Sequence, residues 1–191
     1  MFRLGTGSSS VVVRALLACA LASSVAACGS AGPYGHSPEY APLGDEESAV
    51  AKAKEYDPVM AKRAPEKWKG TEVSAFGVVL SRTPGASGNS QLKLSVRTLE
   101  PRNLCESSDT DTCRVTVSEH EHAIVHALVH LSAEDDIGEH SVGPRSLVRV
   151  VGLLSDTVDQ GDGEQVIQAK YYRHWPRNYY VTTADRKFMR Q

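Results

Sequence analysis

The chain has 191 residues, of which 41% are hydrophobic and 23% are charged. This length suits one globular domain with appendages, because domains usually contain about 100–150 residues. With 21 basic and 23 acidic side chains, the formal net charge is −2, which excludes a strongly basic nucleic-acid binder and an acidic disordered tail.

The first 28 residues have the pattern of an export signal. A positively charged start precedes an apolar run over residues 15–22, and small residues then lead to Cys28. So short a run cannot span a bilayer, which needs about 20 apolar residues, and residues 1–27 are therefore predicted to be a signal peptide. The sequence Val25-Ala26-Ala27-Cys28 resembles the lipobox of bacterial lipoproteins.

The lipobox resemblance implies that Cys28 is the lipidated residue. In that family the thiol is acylated, with palmitate among the acyl chains, and several such chains anchor a protein to the membrane. Gly29 follows the cysteine, which in enteric-type sorting favours the outer membrane of a Gram-negative bacterium. The alternative is an ordinary secretory peptide cleaved near Ala27, which leaves Cys28 as a free thiol. The cell envelope is an oxidising compartment, so disulfides are allowed.

Residues 28–67 are predicted to contain the lipid anchor, a flexible tether and a short helix. Glycine, proline and serine dominate residues 29–44, without hydrophobic periodicity. Acidic residues then precede lysines, an order that complements the helix dipole and predicts a helix over residues 45–55, ended by Pro58. The globular domain is expected to begin near Trp68.

Residues 68–176 are predicted to form a β-barrel domain, followed by a C-terminal tail over residues 177–191. Alternation of apolar and polar residues predicts strands over residues 71–80, 92–96, 113–117, 123–131, 147–154 and 165–172. Gly77, in the first strand, indicates a bulge or bend. The order of these strands, with a central glycine in the first, resembles the OB-fold. We therefore expect a mainly β protein with a small OB-like antiparallel barrel of five to six strands, an open β-sandwich being the alternative.

Four histidines lie close together in the chain: His120, His122, His126 and His130. On a helix the last three would share one face. The odd positions from 123 to 131 are all apolar, however, which predicts a strand with its histidines facing solvent. Positions two apart on a strand lie about 7 Å from each other, so only His120 and His122 can share a metal ion, with Glu119 or Glu121 as further ligands.

Cys105 and Cys113 bracket an acidic loop, and in an oxidising compartment they are predicted to form a disulfide. A redox-active pair is disfavoured because the Cys-x-x-Cys spacing is missing. The segment 159–164 resembles a calcium loop in composition but lacks its alternating ligand spacing, so we expect a hairpin turn.

The segment 171–180 contains five aromatic residues interleaved with arginine and histidine. Such side chains can stack on sugars, bases or peptides, although packing on the barrel is the alternative. The candidate binding residues are Trp175, Arg177, Tyr179 and Tyr180. Trp175-Pro176 is similar to the terminal Trp-Pro of the Slp-type outer-membrane lipoproteins, which share a lipobox start and a β-rich body.

These features predict a lipid-anchored cell-envelope module that binds a partner or has a structural role. Its partner would be an envelope protein, a glycan or a small ligand, with the membrane contacted through the lipid anchor. The alternative is a periplasmic metal-binding module that uses His120 and His122. No recognisable nucleophile motif is present, so we predict neither an enzyme nor a cofactor. Nucleic acid is disfavoured because phosphate binding relies on basic charge.

Overall fold

A computed structural model of the protein describes residue 34 and residues 37–106 and 112–189. The predicted signal peptide and the lipidation site at Cys28 lie outside the described residues. Within the described ranges, no helix has both the length and the apolarity that crossing a bilayer requires.

Short elements at both ends of the chain flank five long strands. The first elements are α1 (Gly44–Val50), β1 (Lys54–Glu55), α2 (Pro58–Arg63) and α3 (Pro65–Trp68). The next are β2 (Glu72–Pro84), β3 (Asn89–Arg97), β4 (Val115–Val117), β5 (Ala123–His130), α4 (Ala133–Asp136), β6 (Leu147–Val158) and β7 (Gln165–Trp175). The chain continues with β8 (Tyr180–Thr182), a 3₁₀ turn (Thr183–Asp185) and α5 (Arg186–Met189).

The five long strands close into a barrel. Their order is β2-β3-β5-β7-β6, and β6 pairs again with β2. Neighbouring barrel strands run antiparallel, except that β5 and β7 are parallel. This strand order is that of an OB-fold barrel, so the prediction of a mainly β, OB-like barrel is confirmed. A further short strand, β1, joins the sheet parallel to β2.

Alternate residues of each strand fill the barrel interior. The buried interior side chains include Val73, Val79, Leu92, Leu94, Val125, Val129, Val148, Val150, Leu154 and Ile167. Gly77 serves close packing here, because a Cβ on it would lie 2.8 Å from the Cβ of Leu94. The bulge predicted at Gly77 lies further along the strand, where the β2–β3 register shifts between Val79 and Ser81.

A second apolar cluster lies on the outer surface of the barrel. Its buried members are Phe76, Val115, Val117, Leu147 and Trp175. The parallel pair of β4 and β8 packs there, so the predicted C-terminal tail continues the fold as far as α5. Tyr34 and Tyr40 cover the same cluster from the N-terminal side.

Tyr40, within the segment 29–44 that was predicted to be a flexible tether, packs on the barrel, and so do several residues of the segment 45–67. Glu46 is completely buried, and Tyr56 and Ala61 belong to the interior core. The predicted helix is present but short, ending at Val50, and Pro58 begins α2 instead of only stopping a helix. The flexibility was predicted from a Gly- and Pro-rich composition. A few buried anchor residues do not alter that composition, so it could not reveal them.

The predicted disulfide between Cys105 and Cys113 is present, with the two Cα atoms 4.0 Å apart. The segment before it supports the N-terminal region, because the Asn103 side-chain amide donates to the Ser37 carbonyl at 2.8 Å. The Asn103 backbone N–H also donates to the Pro38 carbonyl at 2.9 Å. The disulfide thus lies two residues from Asn103, which holds residues 37–38.

Candidate functional site

A groove of about 890 Å³ lies between the segment 50–59 and the ends of β2 and β3. Its apolar wall is formed by Val50, Ala53, Val59, Phe76, Leu99 and Pro101. Arg97, Thr98 and His122 provide polar groups, and we call this cavity the Arg97 groove. Its volume falls within the range of about 300–1,000 Å³ that is typical of small-molecule sites.

Arg97 has an unsatisfied hydrogen-bond donor. Its Nη1 donates to the backbone carbonyls of Ser118 and Glu119, which fixes the guanidinium beside the groove. Its Nε is buried and has no hydrogen-bond partner among the described residues. A buried donor without an acceptor costs about 1–3 kcal/mol, so this arrangement of Arg97 destabilises the fold slightly.

His120 and His122 lie side by side, with ring centroids 5.4 Å apart. The Nε2 atom of His122 is 3.0 Å from the Thr98 hydroxyl. Among the described residues, the group of metal-ligating side chains that the fold assembles does not include this pair. The two histidines therefore offer two ligands without the carboxylate that was expected from Glu119 or Glu121.

A different group, which we call the His126 cluster, gathers beneath the hairpin between β6 and β7. His126 Nε2 lies 2.9 Å from an oxygen of Asp162 and 3.9 Å from an oxygen of Asp159. The ligand atoms of the three residues all lie within 4.8 Å of one another. The Gln91 amide contacts both His126 Nδ1 at 3.0 Å and Asp159 at 2.7 Å, and the Lys93 ammonium lies 2.8 Å from Asp162.

The His126 cluster both confirms and corrects the sequence predictions. The hairpin turn is present, closed by the hydrogen bond from the Asp159 N–H to the Glu164 carbonyl at 2.8 Å. The outer-face position of His126 is also correct, since Val125 and Ala127 are buried inside. Its predicted exposure is wrong: only 7% of His126 is accessible, because the hairpin folds over it.

Both carboxylates of the His126 cluster are held in their ionised form. Hydrogen bonds from Lys93 and His126 keep the pKa of Asp162 well below its usual range. Hydrogen bonds from the Gly161 N–H and the Gln91 amide lower the pKa of Asp159. The group thus consists of two charged oxygen ligands and one imidazole.

Ser146, His174 and Asp135 form a hydrogen-bonded chain with the residue types of a hydrolase triad. His174 Nε2 lies 3.2 Å from the Ser146 hydroxyl, and Nδ1 lies 2.9 Å from Asp135. Burial disfavours ionised Asp135, but hydrogen bonds from His174 and Tyr172 outweigh it and lower its pKa. Ser146 is only 3% exposed and does not line the Arg97 groove. These three hydrogen-bonded side chains therefore connect α4 to β7.

The predicted aromatic binding residues do not form one accessible surface. Trp175 is completely buried, its Nε1 donating to the Tyr34 carbonyl at 3.1 Å, because β4, β8 and the N-terminal segment cover it. Trp175 is therefore a packing residue, not an exposed ligand contact. Tyr179 and Tyr180 are half-buried, and Arg177 is exposed.

A fully buried acid, Glu46, joins the N-terminal segment to the outer surface of the barrel. It accepts hydrogen bonds from Arg149 at 2.6 Å, from Arg173 at 2.7 Å and from the Tyr40 hydroxyl, and we call these four residues the Glu46 cluster. Burial alone would raise the pKa of Glu46, but these donors outweigh it and lower the pKa. The sequence contained one signal for this cluster. Arg149 lies within a predicted strand and Arg173 directly follows another, and a charged side chain at such a position indicates a buried acidic partner.

The chain matches no protein-family model and no curated protein. Among solved structures 21 chains match it, including the small single-stranded DNA-binding protein from Streptomyces coelicolor. That protein is 18% identical, and the match covers 56% of this chain and 95% of the other with a TM-score of 0.31. At so low a score, the OB-like description of this barrel rests on its own strand order.

Proposed function

We propose that this protein is a lipid-anchored cell-envelope module whose barrel binds an amphipathic ligand in the Arg97 groove. The observation that carries the proposal is a cavity of about 890 Å³ whose apolar walls are joined by the side chain of Arg97. A cleft with apolar walls and a few well-placed polar groups is the usual form of a small-ligand site.

The proposed location is supported by three features of the chain. The lipobox-like sequence before Cys28 follows a short apolar run, and Trp175-Pro176 is similar to the end of the Slp-type lipoproteins. The disulfide between Cys105 and Cys113 adds independent support, since such bridges persist in oxidising compartments such as the cell envelope. Together they favour export, with Gly29 favouring the outer membrane.

The side chains around the groove define the chemistry of the ligand. Arg97 and Thr98 favour a carboxylate, sulfonate or carbonyl group at one end, and Val50 and Val59 favour an apolar body. Glu55 and Asp57 line the groove together with Arg97 and Arg149, so the lining has no excess of positive charge for a polyphosphate backbone. A small envelope metabolite or a short peptide with a free carboxylate fits better than nucleic acid.

Anilinonaphthalene sulfonate, which joins aromatic rings to a sulfonate, is a suitable probe of the groove. The full chain with Cys28→Ser, which lacks the acylated thiol, is titrated by fluorescence without detergent. We expect Arg97→Gln to weaken probe binding by about ten-fold or more, because a charge-assisted hydrogen bond contributes about 1.5–3 kcal/mol. Arg177→Gln, an equal change at an exposed arginine of the C-terminal segment, is expected to leave the affinity unchanged.

Two further results distinguish the possible binding surfaces. Ala53→Trp fills the groove and is expected to weaken probe binding without removing a charge. Thermal unfolding of each variant checks that the barrel is intact. Equal affinity in Arg97→Gln, Ala53→Trp and the parent protein would contradict the groove proposal. Loss of binding in Arg177→Gln alone would show that the probe binds at the C-terminal segment instead.

A further inference from the structure

The His126 cluster has the geometry of a three-ligand metal site. One imidazole nitrogen and two carboxylates converge from two elements, β5 and the β6–β7 hairpin. Their nearest separations from His126 Nε2 are 2.9 Å to Asp162 and 3.9 Å to Asp159. Ligands bound at about 2.0–2.2 Å to one tetrahedral ion stand roughly 3–4 Å apart, so the cluster needs only small shifts to close on a metal.

The local charge of the cluster is not balanced by the protein. Asp159 and Asp162 carry two negative charges, against the single ammonium of Lys93. The nearby carboxylate of Glu164 does not change this balance, because it pairs with Lys62 at 3.1 Å. With a neutral imidazole, the cluster keeps one uncompensated negative charge beside a residue that is 93% buried, and a cation compensates that charge.

The surroundings of His126 also suit a ligand role. Gln91 contacts Nδ1 at 3.0 Å, which is the position where metal-binding histidines usually have a hydrogen-bond partner. When a metal occupies Nε2, the ring proton lies on Nδ1, and Gln91 must turn its amide oxygen toward the ring to accept it. That turn gives up the hydrogen bond from the Gln91 amide nitrogen to Asp159, whose carboxylate is then free to bind the ion. The half-exposed Lys93 can swing away from Asp162 as the ion enters.

We infer that His126, Asp159 and Asp162 bind one divalent cation of the zinc type, with water completing its coordination. An imidazole with two carboxylates suits Zn²⁺, whereas Ca²⁺ and Mg²⁺ prefer shells of oxygen ligands. This site is separate from the pair His120 and His122. None of its three ligands lines the Arg97 groove, so the inference stands or falls independently of the proposed function.

Calorimetric titration with Zn²⁺ alone tests the site. The full chain with Cys28→Ser is treated with a chelator, dialysed and titrated at neutral pH. We expect one equivalent to bind, and Asp162→Asn or His126→Gln to weaken binding by about ten-fold or more, since even partners outside the coordination shell contribute about 10–100-fold. The double variant His120→Gln/His122→Gln is the matched control and is expected to bind as the parent does. Millimolar Ca²⁺ is expected not to compete.

Lys93→Gln provides a test that does not depend on damaging the site. Removing the competing ammonium is expected to tighten Zn²⁺ binding several-fold, and its circular dichroism is expected to match that of the parent. Absence of stoichiometric uptake by the parent would overturn the inference. So would uptake that is lost in the His120/His122 double variant while His126→Gln binds normally.

Discussion

Two polar clusters lie on the outer surface of the same barrel, and a separate chain segment covers each of them. The Glu46 cluster lies under the N-terminal segment, and the His126 cluster lies under the β6–β7 hairpin. In the first, a completely buried carboxylate meets two arginines that expose only 15% and 3% of their side chains. In the second, the carboxylates expose 21% and 28%, and acidic groups outnumber the cation.

This difference separates a structural lock from a binding site. The carboxylate of Glu46 is surrounded by donors from Tyr40, Arg149 and Arg173, so it has no need of a further ligand. The His126 cluster retains negative charge and access to solvent. The first arrangement is stable only while all its members are present, whereas the second gains from an added cation.

Removing the acid from the first cluster has the largest expected effect. Glu46→Ala leaves Arg149 and Arg173 without their carboxylate, and breaking a buried ion pair costs about 3–5 kcal/mol. The free energy of unfolding from urea titration measures this loss. Glu47→Ala, the exposed neighbour on α1, is expected to change stability by no more than about 0.5 kcal/mol. A loss below about 1 kcal/mol for Glu46→Ala would show that the cluster is not a lock.

The contrast between the clusters also shows what the sequence can predict. Alternation located the strands, so β5 was expected with its odd positions buried, and two cysteines in a chain that was predicted to be exported indicated the disulfide. Alternation tells the inner face from the outer face, but it does not tell which outer positions another segment covers. For that reason the burial of His126 was not predicted, and the burial of Trp175 was only one of two alternatives.

The binding groups escaped prediction for a related reason. Asp159 and His126 are far apart in the chain, and their meeting depends on how the hairpin folds over β5. Glu46 was read only as part of an acidic helix start, because its arginine partners lie more than 100 residues away. Long-range pairs of this kind leave no local spacing pattern, unlike metal-binding motifs with fixed intervals.

Removing the disulfide has the next largest expected effect. It also tests whether the N-terminal segment and the β6–β7 hairpin open independently of each other. The double variant Cys105→Ala/Cys113→Ala is expected to lose about 2–3 kcal/mol, as expected for so short a loop. Because Asn103 holds Ser37 and Pro38, hydrogen exchange is expected to become faster over residues 37–50. Residues 159–164 serve as the internal control and are expected to exchange as in the parent. An equal increase in the hydrogen-exchange rate of both segments would mean that the N-terminal segment and the hairpin open together.

Acid is expected to weaken the Glu46 cluster by less than the Glu46→Ala substitution does, since protonated Glu46 still forms some hydrogen bonds. The folded-state pKa of Glu46 lies below its ordinary value of 4.5, because its three side-chain donors outweigh burial. Its stabilisation is therefore complete above that value and is lost as the pH falls through the folded-state pKa. Asp135 and Asp162 also have lowered pKa values and act in the same direction, but solvent screens the exposed Asp162.

Urea midpoints between about pH 7 and pH 3 measure this dependence. The parent is expected to keep a constant midpoint down to about pH 5 and to lose stability below it. Glu46→Gln is expected to be less stable at neutral pH but to lose less stability in acid, because the titrating buried group is gone. Asp162→Asn, the matched change in the other cluster, is expected to keep nearly the parent slope. If Asp162→Asn reduced the acid-induced loss of stability more than Glu46→Gln does, the roles assigned to the two clusters would be reversed.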